Sequence, residues 1–208
     1  QMAIIQNGSS LFNGDAGSGP SEIRRYLIEN DWLDAVVQLP NNAFYNTGIA
    51  TYIWIVMKNK PVTHQGKVQL IDASACCSAR RKNIGSKNVD ITKVDRDLII
   101  EAYGAYVDGI YNGVDENDKA IIVKSKVIDA IDFGYNKIVV ETPKLDEDGN
   151  IVMKKKKPVA DKSKRDTENV PLTEDIDVYF EREVIPYNSQ AWIDKSKTKV
   201  GYEIPFTR

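Results

Sequence analysis

The sequence contains few of the side chains that most often bind metals or cross-link small folds. Its 208 residues include one histidine and two cysteines, and the cysteines, Cys76 and Cys77, are neighbours in the chain. Neighbouring cysteines rarely form a disulfide with each other, and a zinc site needs about four spaced cysteine or histidine ligands. We therefore expect free thiols, no metal site, and the reducing environment of the cytoplasm.

Long apolar runs and an excess of one charge are also missing. The longest apolar stretch, Ile53–Met57, has the length of a strand, whereas a membrane-spanning helix needs about 20 apolar residues. No segment has the basic and apolar regions of a signal peptide. The formal net charge of −2 excludes a protein that coats DNA through overall positive charge. We expect no membrane association, and contacts with nucleic acid must come from local patches.

Side chains for nucleophilic or acid–base catalysis do not form a recognisable arrangement. Asp95 and Asp97 are two positions apart, so their carboxylates cannot face each other on a helix. His64 lies in a Thr-His-Gln-Gly turn, where we expect it to be exposed. The chain is therefore predicted to hold no catalytic residue of its own.

The first 75 residues follow an α/β pattern. Apolar runs predict strands over residues 3–6, 33–39, 49–57 and 67–72. The strand over residues 49–57 is apolar on both faces, which is typical of a strand inside a sheet. Too few residues separate it from the preceding strand for a helical crossover, so we expect these two strands to be antiparallel. A helix is predicted over residues 21–30, with apolar Ile23, Leu27 and Ile28 facing the core and Glu22, Arg24, Arg25 and Glu29 facing water.

The chain opens directly into an apolar run, Met2–Ile5, that suits a buried strand. Domains rarely begin within a buried strand, so this start predicts a fragment of a longer protein. The composition changes after Ser74, and residues 78–97 are charged and contain glycine. Helices are predicted over residues 93–106 and 172–185. Turn residues at Asp146–Asn150 predict a hairpin that pairs residues 137–142 with residues 151–157.

Two loops stand at positions where ligands often bind. The glycine-rich loop Gly14–Gly19 lies between a predicted strand and helix, but it matches neither dinucleotide nor P-loop spacing, so we predict no cofactor-binding residue there. The loop over residues 39–49 carries Asn42, Phe44, Tyr45 and Thr47. Aromatic side chains on a loop can stack on a base taken out of a duplex, and amides can bond its edge. The alternative is that Phe44 and Tyr45 pack under the sheet.

Basic residues are concentrated in two places. Arg80, Arg81, Lys82 and Lys87 surround a flexible glycine and could follow DNA phosphates. The lysine run Lys154–Lys157 could do the same. The alternative for both is a solvated charged face.

Several stretches, in this order along the chain, resemble one family. They are Ile4–Ser9, Gly14–Arg25, Glu29–Leu33, Leu39–Trp54, Asp132–Tyr135, Asp166–Leu172 and Lys199–Arg208. Together they resemble the modification subunit of type I restriction–modification systems, an adenine-N6 DNA methyltransferase that uses S-adenosylmethionine. The resemblance implies that residues 1–75 are the later half of a Rossmann-like methyltransferase sheet. Residues 76–208 would then be a mixed α+β C-terminal extension with a basic hairpin and a helix.

Two motifs of that family do not occur in the sequence: the glycine-rich cofactor motif and an Asn-Pro-Pro-aromatic tetrapeptide. The resemblance therefore implies a C-terminal fragment that is inactive alone, with the S-adenosylmethionine site mostly outside it. It also implies that Phe44, or secondly Tyr45, stacks on the flipped adenine, with Asn42 and Thr47 beside it. DNA, the specificity subunit and the restriction subunit are the implied partners. The alternative function is a non-catalytic nucleic-acid or protein interaction module.

Overall fold

The computed structural model describes residues 1–115 and 118–206. They divide into two compact units. The first comprises Gln1–Asn13, Tyr26–Ala130 and the described residues from Ile204 onward, and the second comprises Gly14–Arg25 and Ile131–Glu203. Thr207 and Arg208, which end the last motif of the family resemblance, lie outside the described residues.

The first unit is built on a six-stranded sheet with the order β1-β3-β2-β4-β8-β7. Strands β2 and β4 are parallel, and the other neighbouring pairs are antiparallel. A separate antiparallel hairpin is formed by β5 and β6. In chain order the elements are β1 (Met2–Asn7), α1 (Ser9–Phe12), α2 (Gly19–Glu29, which begins in the second unit), β2 (Leu33–Gln38), β3 (Thr51–Val56), β4 (Lys67–Asp72), β5 (Ser78–Ile84), β6 (Lys87–Asp90), α3 (Lys93–Ala105), β7 (Gly109–Val114) and β8 (Ala120–Asp129).

The core of the first unit lies between the sheet and helix α3. Strand β2 is buried from Leu33 to Val37, as expected for a strand in the middle of a sheet. Helix α3 begins with a capping box between Thr92 and Asp95 and places Leu98 and Ala102 in the apolar cluster. The α/β class, the antiparallel pairing of β2 with β3, the bounds of β4 and the position of α3 are confirmed.

Strand β1 does not have the burial that its sequence predicts. It is paired with β3 at the edge of the sheet, and all six of its residues are exposed. An apolar run therefore forms an edge strand here, because apolar composition specifies a strand but not its place in the sheet.

The buried face of α2 also differs from the prediction. Ile23 is 63% exposed, whereas Arg24 is only 1% exposed. The Arg24 Nε donates a hydrogen bond to the Tyr202 carbonyl, and the Ser21 hydroxyl accepts one from the Tyr202 N–H. These polar contacts cover the side of the helix that carries Arg24, so the prediction is wrong for Ile23 and Arg24, whereas Ile28 is buried as predicted.

His64 is not exposed as predicted. It lies in a short 3₁₀ turn, Val62–His64, between β3 and β4. Its ring is stacked on Tyr106, with centroids 3.4 Å apart, and its Nδ1 is 2.9 Å from a carboxylate oxygen of buried Asp34. The partner of His64 is thus Asp34, a charged residue in an apolar strand. The residue pattern of the turn around His64 could not indicate this contact.

The compact units do not follow the predicted division between residues 75 and 76. Strand β4 pairs along its length with β8, from Lys67 opposite Asp129 to Asp72 opposite Lys124. The sheet of the first unit therefore continues to residue 129.

The second unit is a small sheet with one covering helix. Strand β9 is its centre and pairs with β12, β13 and β14. The elements are β9 (Gly134–Glu141), β10 (Met153–Lys154), β11 (Lys157–Pro158), β12 (Asp166–Pro171), α4 (Ile176–Glu183), β13 (Trp192–Ile193) and β14 (Lys199–Tyr202). Its core contains Ile138, Val140, Val170, Phe180 and Val184.

Two details of the second unit correct the sequence-based prediction. Helix α4 begins at Ile176, because Asp175 accepts hydrogen bonds from the Asp177 and Val178 N–H groups and caps the helix there. Residues 137–142 do not pair with residues 151–157. Instead β9 pairs with β12 and β14, while β10 pairs with β11 in a hairpin of its own.

Cys76 and Cys77 are both free, and Cys76 is fully buried. Burial raises the pKa of the Cys76 thiol to about 12 and also raises that of Cys77. Across residues 1–115 and 118–206, no helix has the length and apolar character needed to cross a membrane.

Candidate nucleic-acid interface

The loop over residues 39–49 joins β2 to β3 and has a defined shape. The Leu39 N–H donates to the Thr51 carbonyl and closes the base of the loop. Asn42 has a left-handed backbone with φ of 58°, and Phe44 and Thr47 form an antiparallel bridge at the tip. Asparagine tolerates this conformation better than most residues. The loop is therefore a folded turn that presents its side chains at fixed positions.

The two aromatic side chains of this loop have different surroundings. Phe44 is partly buried and packs against the apolar cluster of the first unit. Tyr45 is 66% exposed. Tyr45 is thus the aromatic ring that an incoming planar group can reach more easily, although the sequence-based prediction put Phe44 first.

The hairpin of β5 and β6 lies directly against this loop. The Ser86 N–H donates to the Tyr45 carbonyl at 2.8 Å, and the Asn88 N–H donates to the Asn42 carbonyl at 3.2 Å. Gly85 has a left-handed φ of 57°, and a Cβ on it would be 2.5 Å from the Tyr45 carbonyl oxygen and 3.0 Å from the Tyr45 ring. The close approach therefore requires glycine. The structure brings the predicted aromatic loop and the predicted basic segment together.

The four predicted cations of the hairpin fall into two pairs. Arg80 donates to both carboxylate oxygens of Asp90, at 2.5 and 2.6 Å, and the Lys87 ammonium is 3.0 Å from the same carboxylate. Hydrogen bonds from Lys87 and Arg80 hold the pKa of Asp90 below its usual range. Arg81 and Lys82 are exposed, and among the described residues neither forms an ion pair. Arg81 and Lys82 are therefore the cations most available to phosphate.

In the glycine-rich loop Gly14–Gly19, two of the glycines pack against neighbouring side chains. A Cβ on Gly14 would meet the Ser18 hydroxyl and the Pro20 ring, and one on Gly17 would meet the Lys199 side chain. The space beside these glycines is thus filled by the chain itself. Asp15 is held by Lys137 at 2.7 Å, so this carboxylate is occupied as well.

A buried polar cluster in the first unit was missed by the sequence reasoning. Asp34 is fully buried and accepts a hydrogen bond from the Tyr103 hydroxyl at 2.6 Å, and its other carboxylate oxygen contacts His64. Burial, and then the hydrogen bond to Asp34, raises the pKa of Tyr103. The available signal was a carboxylate within an apolar strand. In the part of the chain that the structure describes, no group of three or more histidine, cysteine or acidic residues could hold a metal ion.

Comparison with known proteins identifies a family. The model of the family described as N-6 DNA Methylase matches residues 1–147. The methylase subunit of the type I restriction enzyme MjaVII of Methanocaldococcus jannaschii is 32% identical over 95 residues, which are 43% of this chain and 16% of that protein. The MjaIX methylase subunit of the same organism is 37% identical over 81 residues, 37% of this chain and 14% of that protein.

Other relatives have the same description. The methylase subunit of the type I restriction enzyme MpnII of Mycoplasma pneumoniae is 37% identical over 70 residues, 33% of this chain and 12% of that protein. A crystal structure of the type I restriction–modification system methyltransferase subunit from Streptococcus thermophilus matches 62% of this chain and 23% of that one, with 26% identity and a TM-score of 0.47.

The chain thus spans only a small part, 16% or less, of the length of these three curated relatives. The family model nevertheless covers residues 1–147 of the 208. The resemblance to type I modification subunits is confirmed, and this chain belongs to the N-6 DNA methylase family.

Proposed function

We propose that this chain is part of a type I modification methyltransferase that transfers a methyl group from S-adenosylmethionine to the N6 of adenine in DNA. In this proposal the chain supplies the later strands of a Rossmann-like methyltransferase sheet, together with a C-terminal extension. Support comes from the mixed sheet of the first unit, all of whose strands lie within the residues that the family model matches.

The loop over residues 39–49 is the proposed contact with the target base. Tyr45 offers an exposed ring on which a flipped adenine can stack, and Phe44 supports the loop from the apolar cluster. Asn42 and Thr47 supply polar groups at the two sides of the turn. The observation that carries this proposal is the hydrogen bond from the Ser86 N–H to the Tyr45 carbonyl, because it fixes the aromatic loop beside a basic hairpin.

The hairpin of β5 and β6 is the proposed contact with the DNA backbone next to the target base. Arg81 and Lys82 meet phosphates directly, since they are exposed. Arg80 and Lys87 are held by Asp90. They contribute to DNA binding by exchanging that carboxylate for a phosphate, whose anionic oxygens accept hydrogen bonds from the same guanidinium and ammonium groups.

The cofactor and the protein partners follow from the family. We propose that S-adenosylmethionine is held mainly outside this chain, since the glycine-rich cofactor motif of the family does not occur in the sequence, and that the chain alone is inactive. The specificity subunit and the restriction subunit of a type I complex are the proposed partners. The proposed location is the cytoplasm, where DNA is the substrate and the free thiols Cys76 and Cys77 stay reduced.

The test is methyl transfer by the assembled methyltransferase that contains this chain, carrying Tyr45→Ala. Stacking on an aromatic ring contributes about 1–3 kcal/mol per base, so we expect the rate to fall about 5- to 150-fold. Tyr45→Phe keeps the ring and should keep the rate. Tyr187→Ala is a matched control, because Tyr187 is 89% exposed in the second unit. Equal rates for Tyr45→Ala and Tyr187→Ala would show that the loop has no role in methyl transfer.

A second candidate is a non-catalytic module that binds nucleic acid or protein. The observation that favours it is that the family's cofactor motif and its Asn-Pro-Pro-aromatic tetrapeptide do not occur in the sequence. Calorimetric titration of S-adenosylmethionine into the assembled protein and into this chain separates the two functions. Heat of binding in the assembly supports the methyltransferase, and no binding in either supports the module.

A further inference from the structure

The turn between β10 and β11 is made of two lysines in an unusual backbone conformation. Lys155 has φ of 52° and Lys156 has φ of 64°. A two-residue turn with both residues left-handed is favourable for Asn-Gly or Asp-Gly, whose side chains tolerate that region, and is strained for lysine. Lysine therefore occupies two positions where its backbone preference is not satisfied.

The charges of this turn oppose folding as well. Lys154 lies directly opposite Lys157 in the β10–β11 pair, and like charges at opposite positions destabilise a hairpin. The four side chains are exposed, and among the described residues none of them forms an ion pair. Four positive charges are thus collected at one hairpin tip without a neutralising carboxylate.

The nearby acidic residues lie at the other end of the same structure. Backbone hydrogen bonds tie the segment around this hairpin together: the Val152 N–H donates to the Lys144 carbonyl, and the Lys144 N–H donates to the Val159 carbonyl. Leu145 pairs with Ile151, next to a turn containing Asp146, Glu147 and Asp148. Residues 151–154 lie between that acidic turn and the lysine turn. Among the described residues no ion pair joins the acidic turn to the lysines, so the segment does not neutralise its own lysines.

We propose that the lysine tip, Lys154–Lys157, binds the phosphate backbone of duplex DNA. Two of these four lysines have an unfavourable backbone conformation, and all four positive charges lack a neutralising partner. Such conflicts are expected at functional sites. A polyanion removes the repulsion between the lysines, and each lysine can replace a counterion on a phosphate. The tip contains no amide or aromatic side chain to read base edges, so this contact is independent of sequence. It is a separate surface in the second unit and does not depend on the roles proposed for Tyr45 or Arg81.

The test is fluorescence anisotropy of the full chain with a labelled duplex of arbitrary sequence, at several salt concentrations. The variant Lys155→Asn with Lys156→Gly removes two charges and supplies a favourable turn. Because each phosphate contact contributes a slope of about −0.9 to log K against log salt, we expect the slope to become less steep by about 2 and the affinity at low salt to fall about tenfold or more. The unfolding midpoint should stay equal or rise. Lys155→Arg with Lys156→Arg should keep the slope.

A matched control removes the same charge elsewhere. Lys93 and Lys195 are 79% and 73% exposed, and each is paired with an aspartate. Lys93→Gln with Lys195→Gln should change the slope much less than the turn variant. A second variant, Lys154→Gln with Lys157→Gln, leaves the turn residues intact and should give the same loss as the first.

Three results would overturn the proposal. An unchanged slope in both tip variants would show that the lysines do not meet phosphates. An equal loss in the control would show an effect of net charge alone. If a duplex RNA binds more tightly than the DNA, and the tip variants weaken that binding, RNA is the partner.

Discussion

Gly85 packs directly on the backbone and the ring of Tyr45, so that a side chain at position 85 would displace the aromatic loop. The position of a Cβ on Gly85 is 2.5 Å from the Tyr45 carbonyl oxygen, the same oxygen that accepts the Ser86 N–H. The turn of the basic hairpin therefore sets the position of the aromatic loop.

Gly85→Ala should destabilise the first unit by more than backbone strain alone. A left-handed alanine costs about 1–2 kcal/mol, and the contact with Tyr45 adds to it. Gly66→Ala is the matched control, because Gly66 has φ of 70° and nothing within 4 Å of its Cβ position. Urea unfolding measures both, and amide exchange of Ser86 should accelerate in Gly85→Ala alone. Equal free energies of unfolding for the two variants would contradict the close contact.

Phe44→Ala should reduce stability, whereas Tyr45→Ala should have little effect on it. Phe44 packs against the apolar cluster, and removing a partly buried aromatic ring should cost about 2–3 kcal/mol, below the value for full burial. Tyr45 is mostly exposed, so its change should stay within about 0.5 kcal/mol. Denaturant midpoints measure the difference. Similar midpoints for the two variants would show that Phe44 is not part of the core.

Asp90→Asn should tighten binding of duplex DNA by this chain. The substitution releases Arg80 and Lys87 from the shared carboxylate, so two more cations can meet phosphates. We expect a higher affinity and a steeper dependence on salt in anisotropy titrations. Lys93 pairs with Asp97 in helix α3, and Asp97→Asn removes the same charge as a control. An equal gain in that control would assign the effect to net charge.

The lowered pKa of Asp90 also predicts how the stability of the chain responds to acid. The pKa of Asp90 is lowered in the folded chain, by Lys87 and then Arg80, so its stabilising contribution is present above the pKa of an unfolded aspartate. That contribution is lost as the pH falls through the folded pKa. Carboxyl chemical shifts of Asp90 against pH should give a midpoint below the usual aspartate range. In Lys87→Gln the midpoint should rise, and a midpoint that does not move would exclude the Lys87 contact.

Asp34→Ala should be among the most damaging changes in the first unit. It leaves the Tyr103 hydroxyl and the His64 ring without their buried partner, which should cost about 2–4 kcal/mol. Tyr103→Phe removes one hydrogen bond and should cost about 1 kcal/mol. Equilibrium unfolding in urea compares them. A smaller loss for Asp34→Ala than for Tyr103→Phe would show that the cluster does not stabilise the fold.

Short-range patterns predicted the elements well and their surroundings poorly. Strand β4 and helix α3 lie where the apolar spacing places them, because period and caps are encoded within a few residues. Arg24 and His64 were assigned to water because their partners are distant: Tyr202 lies 178 residues from Arg24, and Asp34 lies 30 residues from His64. The predicted pairing of residues 137–142 with residues 151–157 was wrong for the same reason.

The candidate site shows the same limit. The residue types of the aromatic loop and the basic hairpin were visible in the sequence, but the contact between them was not. It depends on Gly85, which is one of 13 glycines and has no local feature that distinguishes it. Two backbone hydrogen bonds across about 40 residues of chain cannot be read from side-chain patterns.

The adjacent cysteines give the chain two reporters with different access. Cys76 is fully buried, and burial raises its thiol pKa to about 12, so alkylation there has to wait for the sheet to open. Cys77 is partly exposed and directly precedes β5. The modification rate of Cys76 therefore reports how fast the core opens. The modification rate of Cys77 reports local motion at the start of the basic hairpin.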